Sequence, residues 1–121
     1  MKIQIILYFL LAVTLSCNSQ DCNKLPERFT SHNQAIIFVK RSIFKVEETA
    51  NTSSSSWIMA AKYYSCDGNT GYFIYSTNKG YEYIHDRVPT YVWEGFKKAQ
   101  SKGSYYDINI KNKYQLKMNY P

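Results

Sequence analysis

The chain has 121 residues, 20% charged and 45% hydrophobic, with a formal net charge of +6. That length admits one small domain with a modest core. The usage is ordinary for a globular protein except for its aromatics, twelve Tyr, six Phe and two Trp, which suit half-buried strands and adhesive surfaces alike.

Lys2 precedes the apolar run "IQIILYFLLAV", Ile3 to Val13. A charged start followed by an apolar run of about 7–15 residues and a small residue describes a secretory signal peptide, here over 1–16. The run falls short of the roughly 20 apolar residues that span a bilayer. Leu15-Ser16-Cys17 resembles the lipobox of bacterial lipoproteins, with Thr14 where Leu is usual. The resemblance implies cleavage before Cys17 and lipid on its thiol; an ordinary signal peptide cut nearby is the alternative. Acyl chains contribute about 0.8 kcal/mol per buried methylene, enough for several chains to hold a small domain at a membrane. Export puts Cys22 and Cys66 in an oxidising space, where a Cys22–Cys66 disulfide is expected. No cofactor or metal is expected, because two cysteines and two scattered histidines lack ligand spacing.

Residues 17–30 read as lipidated tether and loop, and 31–54 as a helix–strand extension. Ser31 is a candidate N-cap for a short helix over 32–41, with Ala35, Ile36 and Val39 on one face and Lys40 and Arg41 in the last turn. Ile43 to Thr49 alternates like a strand, with Glu47 and Glu48 on opposite faces. After the polar "NTSSSS" connector, Trp57–Ser65, Tyr72–Thr77 and Tyr81–His85 read as three strands joined by turns at Asp67-Gly68 and Asn78-Lys79-Gly80. Pro89 ends this sheet region. A helix follows from Thr90, its stripe carrying Val92, Phe96 and Ala99, with Gly103 as its C-terminal stop. "YYDINIKNKYQ" is a short helix or an extended arm, and the last residues are expected to fray. The fold class is α+β: a three- to four-stranded antiparallel meander packed by one main C-terminal helix, with a short N-terminal helix.

Residues 55–117 resemble the KTSC domain, a small module named for its occurrence at the C-terminus of some lysyl-tRNA synthetases and found also as a stand-alone bacterial protein. Ser55-Ser56-Trp57-Ile58, Tyr64, Gly80, Val88-Pro89 and the run Ala99-x-Ser101-x-Gly103 with Tyr106 and Ile110 carry the resemblance. The family's Tyr-x-Tyr falls on Tyr83-Ile84-His85, with His85 in the second tyrosine's place. The resemblance implies the fold, and association with the synthetase suggests RNA binding.

No catalytic motif is present. His85-Asp86 is the only histidine with an adjacent carboxylate, and His85 reads as a strand-end residue bonded to backbone. The expectation is a non-catalytic binding module of the bacterial cell envelope, anchored through Cys17 or secreted, with a protein or an anionic glycan or lipid as partner. The alternative is a nucleic-acid-binding module. The candidate contact residues are Tyr81, Tyr83, His85, Lys97, Lys98, Tyr105, Tyr106, Lys111 and Lys113, aromatics that stack bases and lysines that neutralise phosphates.

Overall fold

The computed structural model describes residues 19–119; the expected signal peptide and Cys17 lie outside them. Four strands, β3 (Val46–Thr49), β4 (Ile58–Ser65), β5 (Thr70–Thr77) and β6 (Glu82–Pro89), form an antiparallel meander in that order. β1 (Gln20–Asp21) and β2 (Ser42–Ile43) pair separately, in parallel. Helix α1 (His32–Arg41) covers one face of the meander, and α2 (Thr90–Lys98) and α3 (Lys102–Asn109) cover the other. The α+β class and the meander are those expected from the sequence.

Alternation along the strands sorts the aromatics into two cores. Tyr63, Phe73 and Tyr75 point toward Val92, Trp93, Phe96, Tyr106 and Ile110. Tyr64 and Ile74 point the other way, with Ile84, onto Phe29, Ala35, Ile36, Val39 and Leu116. Trp93 lies flat against Tyr63, ring centres 5.3 Å apart, and Phe73 meets Phe96 edge to face at 5.0 Å. Each such side chain contributes about 1.5–3 kcal/mol on burial.

Local chemistry sets the boundaries. The Ser31 hydroxyl accepts the Gln34 N–H at 3.0 Å and opens α1. Asp67 Oδ1 accepts the N–H groups of Asn69 and Thr70 at 2.8 and 3.0 Å, closing the β4–β5 turn. Gly80, at φ +88°, turns the chain into β6 where a side chain would be strained.

Several expectations are corrected. The stretch read as tether and loop is docked from Gln20 onward: β1 pairs with β2, and Phe29, fully buried, bridges to Met118. The expected strand at 43–49 breaks at Phe44-Lys45, because its first half pairs with β1 and its second with β4. Strand β6 runs on through Pro89, which is also the N-cap of α2. Gly103 does not stop that helix. The helix ends at Lys98, Ala99 is extended, and Ser101 caps a new helix that contains Gly103. The "YYDINIKNKYQ" segment is therefore both helix and arm. Beyond α3 it crosses the edge of β6, delivers Leu116 to the second core and is held through Asn119; the last two residues, expected to fray, lie outside the described ones.

Cys22 and Cys66 form the expected disulfide, Cα atoms 5.9 Å apart and 44 residues apart in sequence. It ties the N-terminal segment to the β4–β5 turn. Chain entropy gives about 4 kcal/mol for a loop of this length.

Candidate functional site

The aromatic candidates divide by depth. Tyr81 and Tyr83 are exposed beside β5, and Tyr83 stacks on Tyr75 with ring centres 5.2 Å apart. Tyr106, expected at a contact surface, lies inside. Its hydroxyl receives the Tyr75 O–H at 2.9 Å and meets His85 Nε2 at 2.9 Å. His85 Nδ1 meets the Tyr114 carbonyl at 3.1 Å. A carbonyl only accepts, so Nδ1 carries the proton and Nε2 accepts from Tyr106. The chain of bonds thus runs Tyr75 to Tyr106 to His85 to the backbone of Tyr114, and it locks α3 and the tail to the sheet. Burial holds the His85 pKa below its ordinary value and pushes the Tyr75 and Tyr106 phenols up. Tyr105 is half-buried and donates to the Val92 carbonyl at 2.9 Å.

His85 and Asp86 point to opposite faces of the sheet, so the histidine has no carboxylate to orient it. The two glutamates of β3 also diverge. Glu47 pairs with Lys62, while Glu48 accepts from Trp93 Nε1 and Lys97, both at 2.8 Å.

The lysine candidates are unequal. Lys97 is engaged by Glu48 and by Glu94, at 2.8 and 2.9 Å. Lys98, Lys111 and Lys113 form no ion pair among the described residues. Sequence reasoning missed Lys102, which is only 6% exposed. Its ammonium donates to the carbonyls of Lys97 and Ala99 at 2.9 and 2.6 Å and closes the C-terminal end of α2.

The residues that carry the family resemblance do structural work. Ser55 Oγ accepts the Ile58 N–H at 3.0 Å, just before β4 begins. The Val88 carbonyl accepts the Tyr63 O–H at 2.7 Å. Ser101 Oγ accepts the Ser104 N–H at 3.2 Å. Gly103 packs so closely on the Trp57 indole that a Cβ there would run into its Nε1 and sit 3.0 Å from Cε2.

Below the disulfide, on the α1 side of the sheet, lies a cleft of about 480 Å³. Cys22, Asn23, Leu25, Pro26 and Glu27 form one wall. Phe44, Tyr64 and Tyr72 line it, with Phe44 at 5.5 and 6.1 Å from the other two ring centres. Asp86 lies deep, 9% exposed, and Arg87 and Lys117 stand toward solvent. Burial raises the Asp86 carboxyl above its ordinary pKa despite the neighbouring Arg87. Burial and the charge of Asp86 together push the Tyr72 phenol up to about 12. The sequence carried no signal for this cleft, since its walls are far apart along the chain.

Among the described residues, Asp21, Cys22 and Cys66 are the one close group of metal-ligating types. The two sulfurs are bonded to each other, which removes the thiolates a metal would take. No described helix is long and apolar enough to cross a membrane.

No curated protein and no solved structure matches the chain. Residues 54–114 match the family model of the KTSC domain. This span holds β4, β5, β6, α2 and α3, while α1, the disulfide's first cysteine and the wall of the cleft lie before it. With half its length in that match, the chain belongs to the KTSC domain family.

Proposed function

We propose that this chain is a non-catalytic binding module of the bacterial cell envelope, exported and held to a membrane by lipid on Cys17. The observation that carries the reading is the Cys22–Cys66 bond. Disulfides persist in oxidising compartments, and this one fastens the segment that begins five residues after Cys17. A lipid at Cys17 would therefore hold the domain close against the membrane. The partner is an envelope protein or an anionic glycan or lipid, met by Lys98, Lys111 and Lys113. The absence of catalysis is supported by His85, whose two ring nitrogens are occupied by Tyr106 and Tyr114.

Nucleic-acid binding has less support. Tyr106 is buried, and Lys97 is occupied by two carboxylates; Tyr81, Tyr83 and the free lysines remain for it.

The test is the intact mass and N-terminus of the protein recovered from fractionated cells. Diacylated Cys17 in the membrane fraction, with two hydrogens missing for the disulfide, supports the reading. An unprocessed Met1 in the cytosol with free thiols overturns it and makes nucleic acid the first partner to try.

A further inference from the structure

Consecutive strand residues normally face opposite sides of a sheet. Asp86 and Arg87 both reach the cleft below the disulfide. Arg87 takes φ 55°, a left-handed conformation rare for a residue with a side chain. The β5–β6 register slips close by, between Gly71 and Phe73. Irregularities of this kind re-aim side chains and gather at functional sites.

The other charges of the cleft are already occupied. Lys117 pairs with Glu27 at 2.8 Å, and Asp67 caps its own turn. Arg87 uses one N–H on the Gln115 carbonyl at 3.2 Å and keeps the rest of its fork. Among the described residues no side chain donates a hydrogen bond to Asp86, whose donor is the backbone N–H of Arg87. An open carboxylate at depth and an open guanidinium near the mouth remain, beside three aromatic rings.

This arrangement selects among ligands. An anion would be repelled at Asp86 and a cation at Arg87. An apolar ligand would shut the Asp86 carboxylate off from water with only the Arg87 backbone N–H as a donor, which is costly. A molecule with a positive and a negative end satisfies both, and aromatic faces favour an ammonium and an apolar side chain alike.

We propose that the cleft binds a small zwitterion, an α-amino acid with an apolar or aromatic side chain, its ammonium at Asp86 and its carboxylate at Arg87. The inference rests on the binding-module reading and adds a ligand class to it.

The test titrates L-phenylalanine to about 10 mM, enough to reveal millimolar affinity, into the ¹⁵N-labelled full chain with its disulfide intact. The expected result is saturable amide shifts at Phe44, Tyr72 and Asp86. Phenylalaninol, which lacks the carboxylate, and N-acetyl-phenylalanine, which lacks the ammonium, should each bind about tenfold more weakly or worse, the loss of one charge-assisted hydrogen bond. Asp86→Asn and Arg87→Gly should do the same for phenylalanine itself. Glycine at 87 accepts the left-handed backbone, so that variant keeps its fold. No shift at these amides overturns the proposal. So does equal binding of N-acetyl-phenylalanine, or of glucose, which would mark a site for neutral polyols. Such failures in a lipidated, disulfide-bonded protein reject the zwitterion alone, whereas a reduced cytosolic protein rejects the reading beneath it.

Discussion

Replacing Gly103 by alanine sets two effects of opposite sign against each other. Gly103 lies inside α3, and its φ is not among the positive ones. In a helix, alanine is favoured over glycine by about 1 kcal/mol. Against this, the new methyl would meet the Trp57 ring at Nε1, with Cε2 at 3.0 Å and Cζ2 at 3.3 Å. The indole cannot easily yield, because it packs edge-on against Tyr75 and Tyr106 at 6.2 and 5.9 Å. Overpacking of this kind costs about 1–3 kcal/mol. The expected net change is a destabilisation of about 1 kcal/mol, read as a lower urea midpoint at unchanged slope. In a Trp57→Leu background the obstacle is gone, and Gly103→Ala should become neutral or stabilising by about 0.5–1 kcal/mol. Stabilisation in the native background, or the same cost in both, would refute the packing role assigned to this glycine.

Two further outcomes are expected. Lys102→Met keeps an apolar stem but removes the ammonium that lies 5.8 Å from the Phe96 ring centre and donates to both carbonyls at the end of α2; it should cost about 2 kcal/mol in urea unfolding, and a value near zero would show the ammonium idle. His85 is held neutral in the fold, so the folded state binds its proton less tightly than the unfolded chain, whose pKa is near 6.5. Its stabilising contribution is complete above that pH and is lost as pH falls through it toward the lower folded value. Unfolding midpoints followed from about pH 7 to 5 should therefore drop in the native protein and flatten in His85→Gln; equal slopes would sink the assignment.

Features carried by neighbours in the chain are legible in the sequence. Ser31 with Ala35, Ile36 and Val39 marked α1, and alternation with Asp67-Gly68 and Gly80 marked the meander. What was missed depends on partners remote in sequence. Phe29 stands alone in a polar stretch and shows no periodicity, yet it is fully buried against the tail. A glycine following a helix reads the same whether it ends that helix or makes room for Trp57. Lysine is read as surface by default, which hid Lys102. The cleft was invisible for a further reason: nothing in "HDRVP" announces that Arg87 will adopt a left-handed backbone and carry Asp86 and itself to one side.

The pairing of Phe29 with Met118 bears on the order of folding. Glu27 and Arg28 meet Lys117 and Met118 across 90 residues. A ribosome delivers these partners 90 residues apart, so the second core stays open until the segment around Lys117 has emerged. Contacts of such long range slow the search for the native state. Removing the segment that carries Leu116 and Met118 would leave Phe29 without its cover, and a chain stalled before that segment would expose the apolar face to whatever surrounds it.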